Sequence, residues 1–148
     1  MYKSIVVGTD GSERAGIAVG CALDLARMTE ATLHAVHAAP RGGIATEFVD
    51  GAGVPMTRAA IRHDGDRILA RIVDWAKREG VTAITHNVDG APADVLTGVA
   101  ETVDADLVVV GNRGMSGVQR FVLGSVANSV SHHCPCSLLI VNTDATQV

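Results

Sequence analysis

Towards its carboxyl end the chain reads Leu107-Val108-Val109-Val110-Gly111-Asn112-Arg113-Gly114-Met115-Ser116-Gly117 and, six residues later, Gly124-Ser125-Val126. The apolar run at 107–110 is typical of a strand buried in a parallel sheet. Gly111 and Gly114 follow it closely, and Gly124 precedes a segment with helical spacing. This order brings backbone N–H groups and a helix N-terminus to one place. The stretch therefore predicts a site for an anion such as phosphate.

The apolar spacing elsewhere switches repeatedly between strand and helix periods. It predicts strands at 4–9, 32–38, 81–88, 107–110 and 137–141, and helices that begin at Ser12, at about Thr57, at Pro92 and at Ser125. This alternation favours an open parallel sheet with helices on both faces and right-handed crossovers, in one domain over 1–148. Ligands of such sheets bind beyond the carboxyl ends of strands, where the winding reverses.

Three further features concern packing and loops. We expect Trp75, on a helix, to serve in packing, His34 and His37 to be satisfied core or rim residues, and Gly65 to weaken the second helix. The segment 39–55 has no period and is rich in Gly and Pro, which is typical of a lid or a disordered loop.

The bulk composition narrows the class of protein. The 148 residues are 47% hydrophobic, 19% charged and 3% aromatic, with a formal charge of −4. Without a basic cluster we expect no nucleic-acid partner. With neither a signal peptide nor a long apolar run we expect no membrane association and a cytoplasmic location. The three cysteines do not form a disulfide framework.

Metal binding and catalysis have weak support in the sequence. His132, His133, Cys134 and Cys136 are adjacent, but C-x-C is not the usual zinc spacing and no second ligand pair is evident. We therefore expect neither a metal site there nor catalytic residues. The only lysines, Lys3 and Lys77, lie outside the glycine segments, so a G-x-x-x-x-G-K-[ST] loop for phosphate cleavage is missing.

Two motifs resemble the nucleotide-binding branch of the universal stress protein family. Residues 111–125 match its G-2x-G-9x-G-(S/T) pattern, and 7–12 (VGTDGS) resemble its N-terminal signature. The resemblance implies an adenine nucleotide alpha hydrolase-like, three-layer fold with strand order 3-2-1-4-5. It also implies a homodimer through the last strand, ATP as ligand, and a role in stress response or signalling without robust turnover.

The resemblance also assigns residue roles. Gly111 and Gly114 would contact phosphates, since a Cβ there would hold the main chain off or forbid φ > 0. Asp10 would meet a ribose hydroxyl or a nucleotide-bound Mg²⁺, or else cap the next helix. Ala38 would meet adenine through its backbone. The complete predicted set is Gly8, Thr9, Asp10, Ala38, Val110, Gly111, Arg113, Gly114, Met115, Ser116, Gly117, Gly124, Ser125 and Val126, with Arg113 and Arg120 either offsetting phosphate charge or solvated.

Three alternatives to ATP retention stay open at this point. The family includes members that prefer cAMP, and the segment 39–55 does not reveal the choice. A slow nucleotide hydrolase could use Asp10 and a metal ion. A partner-binding protein with a vestigial pocket is the last possibility, although the intact glycine pattern argues against it.

Overall fold

The computed structural model describes residues 1–39, 57–113 and 123–144. Strands and helices alternate as predicted: β1 (Ser4–Gly8), α1 (Glu13–Thr29), β2 (Thr32–Ala39), α2 (Arg58–Glu79), β3 (Ala83–Asp89), α3 (Pro92–Thr102), β4 (Leu107–Gly111), α4 (Ser125–His133) and β5 (Ser137–Val141). β3 begins two residues later than predicted. The reason is that the Val81 N–H still bonds to the Ala76 carbonyl, as part of the turn that ends α2 at Gly80.

All five strands are parallel, in the order β3-β2-β1-β4-β5. The predicted fold class is therefore confirmed. The chain winds outward from β1 to β3, then returns to place β4 on the other side of β1, where Val7 pairs with Val109. This reversal lies between β1 and β4, so the carboxyl ends of these two strands border the place where such sheets bind ligands.

The sheet separates two apolar cores because successive strand residues point to opposite faces. Ile5, Val7 and Val109 pack under α1 and α2. Val6 and Val108 pack under α3 and α4. Each of these five side chains is fully buried. The buried stripe of α1 is built largely from alanines, Ala18, Ala22 and Ala26, which let that helix lie close to the sheet.

Gly65 differs from its prediction. It is buried in the middle of α2, where a Cβ would lie 2.5 Å from Nδ1 of His37 and 2.8 Å from Oδ1 of Asn87. The glycine therefore lets α2 approach β2 and β3 closely, rather than only weakening the helix. His37 itself is buried and its Nδ1 is 3.0 Å from the Asn87 amide oxygen.

The other packing expectations agree with the structure. His34 is buried on the face of β2 opposite to His37, and its Nδ1 lies 3.0 Å from Nε2 of His86. Trp75 packs against the core under α1 and α2. None of the described helices is both long enough and apolar enough to cross a membrane. Most of the segment expected to be a lid or disordered, 40–55, lies outside the described residues.

Candidate functional site

A cavity of about 270 Å³ opens at the reversal point, beyond the ends of β1 and β4. Ten of the fourteen predicted site residues line it: Gly8, Thr9, Asp10, Ala38, Val110, Gly111, Arg113, Gly124, Ser125 and Val126. The other four, Gly114, Met115, Ser116 and Gly117, lie outside the described residues, as does Arg120. Segments more than a hundred residues apart in sequence therefore meet at one cavity.

The loop after β1 is held by its own hydrogen bonds. The Thr9 N–H donates to the Val36 carbonyl at 2.9 Å, and the Gly11 N–H donates to the Thr9 hydroxyl at 3.1 Å. Gly11 adopts a left-handed φ of 82°, which favours glycine, and a Cβ there would lie 2.5 Å from Ile68. The loop thus presents the exposed Asp10 carboxylate at the cavity in a fixed turn.

Asp10 also has a structural role, which is related to its predicted alternative role as the cap of the next helix. Its Oδ1 accepts the Ser12 N–H at 2.9 Å, and Ser12 in turn caps α1 by accepting the Ala15 N–H at 3.1 Å. The helix cap is therefore Ser12, while Asp10 orders the turn before it. This use of one carboxylate oxygen keeps the side chain at the rim of the cavity.

On the opposite wall, α4 begins at the cavity without a side-chain cap. Gly124 is its N-cap residue, and the Gly124 N–H is already used by the Asn112 carbonyl at 2.8 Å. The next N–H groups, those of Ser125, Val126 and Ala127, belong to the first turn, whose N–H groups have no partner within a helix. They and the helix dipole favour a negatively charged group at this wall.

Gly111 does not have the positive φ that was one of its two expected reasons. Among the described glycines, positive φ values belong to Gly11, Gly80 and Gly90. A Cβ on Gly111 would lie 3.1 Å from the Thr143 methyl group, so the glycine also allows close packing against the segment after β5. The other expected reason, close approach of the main chain to a phosphate, stays a prediction.

Arg113 is neither solvated nor directed only at the cavity. Its side chain is 11% exposed, and its Nε lies 3.1 Å from Oδ2 of Asp144. Asp144 also accepts from the Asn112 amide at 3.0 Å. Sequence reasoning missed this partner, because Asp144 follows β5 and no motif includes it.

Five further lining residues were also missed, namely Ala15, Val36, Pro92, Leu96 and Ala127. Val36 pairs with Gly8, so the register between β1 and β2, which the sequence did not predict, would have identified it. Leu96 was assigned to the core from its helical spacing, and it does pack there as well as lining the cavity. These residues give the cavity an apolar floor beside its polar rim.

The adjacent His and Cys residues at the other end of α4 do not form a metal site. Over 1–39, 57–113 and 123–144, no three His, Cys, Asp or Glu side chains are grouped so that they could hold a metal ion.

Comparisons with known proteins identify the family. The family model described as Universal stress protein family matches residues 1–142. Universal stress protein YxiE of Bacillus subtilis is 31% identical over 147 residues, covering 95% of this chain and 99% of its own. Universal stress protein MJ0531 of Methanocaldococcus jannaschii is 31% identical over 144 residues, covering 95% of this chain and 82% of its own.

A solved structure is also similar, that of a universal stress protein in complex with cAMP. It is 34% identical, with a TM-score of 0.70, and the match covers 96% of this chain and 98% of the other. The sequence motifs, the strand order and the family model agree with one another. The chain therefore belongs to the universal stress protein family.

Proposed function

We propose that this universal stress protein binds an adenine nucleotide in the cavity between β1 and β4, with ATP as the first candidate. The observation that carries the proposal is the convergence of the Gly8–Asp10 turn and the uncapped start of α4 on one cavity. A phosphate group fits the first-turn N–H groups of α4, and a ribose hydroxyl fits the Asp10 carboxylate. The apolar floor beside Ala38 and Val36 suits a base.

A second candidate, cAMP, is favoured by the solved relative that carries this ligand. The charge around the cavity points in the same direction. Asp10 brings a carboxylate to the cavity lining, while the guanidinium of Arg113 is already paired with Asp144, which lies outside that lining. A cyclic monophosphate carries less negative charge than a triphosphate, so it needs fewer positive groups from the protein.

We further propose retention of the nucleotide rather than robust turnover, in a stress-response or signalling role in the cytoplasm. The two lysines of the chain are Lys3 and Lys77, and neither lines the cavity as described. The one described arginine at the cavity is neutralised by Asp144. These features support binding more than the charge stabilisation that phosphoryl transfer needs.

Thermal unfolding of nucleotide-free protein with ATP, ADP, AMP or cAMP tests the proposal and ranks the candidates. A ligand at a hundred times its Kd stabilises the fold by about 2.7 kcal/mol, which raises Tm by roughly 5–10 °C for a chain of this length. The largest shift with ATP or with cAMP selects between the two. A Tm unchanged by all four nucleotides would leave the vestigial-pocket alternative.

A pair of charge variants on α4 tests where the phosphate binds. Ser125→Glu places a carboxylate in the first turn, where it suits the helix dipole but repels an anion. Asn128→Glu adds the same charge one turn later, at an exposed residue outside the cavity lining. We expect at least a tenfold loss of affinity in the first variant and little change in the second. Equal effects would contradict the assignment.

We also propose that the protein is a homodimer through β5. This strand is at one edge of the sheet, and Leu138, Leu139, Ile140 and Val141 remain only partly buried. An apolar edge strand is suited to pairing with a second copy. Light scattering should give the mass of a dimer, and Ile140→Lys should give that of a monomer, whereas Ile84→Lys on the opposite edge strand should not.

A further inference from the structure

A cysteine pair lies at the amino-terminal end of β5, at the opposite end of the sheet from the nucleotide cavity. Cys134 follows α4 as its C-cap residue, and Cys136 precedes β5. Their sulfur atoms are 4.0 Å apart. Both cysteines are free and partly buried, packed at the margin of the α3–α4 core.

The local backbone explains why the two thiols face each other. Pro135 lies between them, and the chain bends at 135–136 before β5 begins. The bend places both sulfur atoms on the same side, each near the Ser137 carbonyl. A disulfide needs an S–S distance of about 2.05 Å. Closing the gap therefore requires a movement of about 2 Å, which side-chain rotation and a small shift of the bend can supply.

We propose that Cys134 and Cys136 are a reversible redox site, oxidised to a disulfide by a hydroperoxide. The Cys134 thiolate attacks one oxygen of hydrogen peroxide, forming a sulfenic acid and releasing hydroxide, which becomes water with the thiol proton. The Cys136 sulfur then attacks the sulfenic sulfur. The S–S bond forms as the S–O bond breaks, and the Cys136 proton leaves with the oxygen as a second water. Two thiols and one peroxide thus give one disulfide and two waters.

The order of attack follows from the environment of Cys136. Burial, then the neighbouring Cys134 and then Asp106 raise the pKa of Cys136 to about 11, so this thiol is protonated at neutral pH. The thiolate is the form that attacks peroxide, so we assign Cys136 to the second step, in which its sulfur attacks the sulfenic acid.

The short ring makes the disulfide easy to reduce. A bond between residues two apart in sequence constrains few unfolded conformations, and a partly exposed disulfide has a more oxidising potential than a buried structural one. Such bonds are characteristic of regulatory sites rather than structural links. A dithiol reductant should therefore restore both thiols, which makes the site a switch.

The full chain offers an internal control for the experiment. Trypsin should leave both cysteines of the pair on one peptide, 121–148, and Cys21 on another, 15–27. The Cys21 thiol is also partly buried, and burial raises its pKa, but it has no second cysteine beside it in the described chain. Cys21 thus reports how a single thiol in this protein responds to the same oxidant.

Reduced full-length protein is treated with an equimolar amount of hydrogen peroxide, alkylated and digested with trypsin, and the peptide masses are measured by mass spectrometry. We expect peptide 121–148 to carry no alkyl group and to be about 2 Da lighter than its unalkylated dithiol form, and to become doubly alkylated if dithiothreitol precedes alkylation, while peptide 15–27 stays singly alkylated. Cys134→Ser and Cys136→Ser should each abolish this disulfide, and Cys21→Ser should not. The proposal is overturned if peptide 121–148 keeps both thiols or is oxidised no faster than 15–27. It is also overturned if the disulfide joins two chains. Peptide mapping of the unmutated protein decides the question even if a serine variant does not fold.

Discussion

The Nε of Arg113 lies 3.1 Å from Oδ2 of Asp144, so the guanidinium of Arg113, just after β4, is paired with a carboxylate that follows β5. The Arg113 Nε is buried yet has no aligned hydrogen-bond partner among the described groups, so the contact is one of opposite charges. Asn112 completes the connection by donating to Asp144 and accepting from the Thr143 N–H at 2.8 Å. These contacts connect residues 143–144, after β5, to residues 112–113, after β4.

Asp144 should weaken the binding of highly charged nucleotides, because it competes with phosphate for Arg113. An exposed or partly exposed charge pair contributes about 0.2–1 kcal/mol, and 1 kcal/mol is about fivefold in Kd. We therefore expect Asp144→Asn to lower the Kd for ATP by about 1.4- to fivefold and the Kd for cAMP less. Isothermal titration of the nucleotide-free protein measures both.

The control for net charge is Asp24→Asn. Asp24 pairs with Arg27 at a similar distance, 3.2 Å, but in a more exposed place, late in α1 and away from the cavity. Asp24→Asn changes the formal charge by the same amount as Asp144→Asn. Because Asp24 lies away from the cavity, this variant should leave the affinities for ATP and cAMP unchanged. If the two variants tightened ATP binding equally, the effect would be one of overall charge and the role given to Asp144 would be wrong.

Local patterns in the sequence were sufficient for the alternation of strands and helices and for a parallel sheet, but not for the order of the strands. The fully apolar run at 107–110 and the strict alternation of strands and helices require a buried parallel sheet, and only a few windings satisfy right-handed crossovers. The order 3-2-1-4-5 itself came from the resemblance of the glycine motifs. With that order, Asp10 and Gly111 were expected at one cavity, and the structure places both there.

The contacts that the sequence did not predict join residues that are far apart in sequence and belong to no common motif. The pairing of Arg113 with Asp144 depends on β4 lying beside β5, and nothing local marks either residue. Gly65 illustrates the same point, since its position suggested only a weak helix, whereas its reason is the imidazole of His37 on another element. Helical spacing likewise placed Leu96 in the core but did not show that it also lines the cavity.

Gly65→Ala should destabilise the protein although alanine is the better helix former. In an open helix interior the change stabilises by about 0.5–1 kcal/mol. Here the added Cβ meets Nδ1 of His37 at 2.5 Å and Oδ1 of Asn87 at 2.8 Å, so α2 must move or the two side chains must separate. Overpacking of this kind costs about 1–3 kcal/mol.

Gly98→Ala is the matched comparison for this variant. Gly98 is exposed inside α3, and a Cβ there meets nothing within 4 Å in the described structure. Urea unfolding should give a higher free energy of unfolding for Gly98→Ala and a lower one for Gly65→Ala. A stabilised Gly65→Ala would show that α2 does not lie as close to His37 as the structure indicates.

The pair His34 and His86 should make stability fall in mild acid. Burial and then the neighbouring His86 lower the pKa of His34, and burial lowers the pKa of His86. Because each folded pKa is below the ordinary 6.5, the unfolded chain binds more protons as the pH drops. The contribution of the neutral histidine pair to the free energy of unfolding is complete above about pH 6.5 and is lost as the pH falls through the pKa values of the folded state.

We therefore expect Tm to decline between pH 7 and pH 5, and to decline less in His86→Gln, which keeps a hydrogen-bonding side chain opposite His34. His133→Gln, at the exposed end of α4, is the control and should follow the unmutated protein. Identical pH profiles for all three proteins would remove the pair as the cause.

Asp106 should stabilise the fold at neutral pH and lose this effect in acid. Its Oδ2 accepts the Lys3 N–H at 2.6 Å and the Ser4 N–H at 2.9 Å, which joins the start of β1 to the residue before β4. These two backbone hydrogen bonds, that from Lys3 first, lower the pKa of Asp106 below its ordinary value of 3.8. The stabilisation is thus present above about pH 4 and disappears as the pH falls through the folded value.

Asp106→Asn should consequently have a lower Tm than the unmutated protein at pH 7, because an amide is a weaker acceptor than a carboxylate. The difference should shrink as the pH falls through the folded pKa of Asp106, below which both side chains are neutral. Asp74→Asn, at an exposed residue of α2, should show no such pH-dependent difference. Circular dichroism melts from pH 2.5 to pH 7 measure all three proteins. A difference that stayed constant over this range would mean that Asp106 acts through its shape and not through its charge.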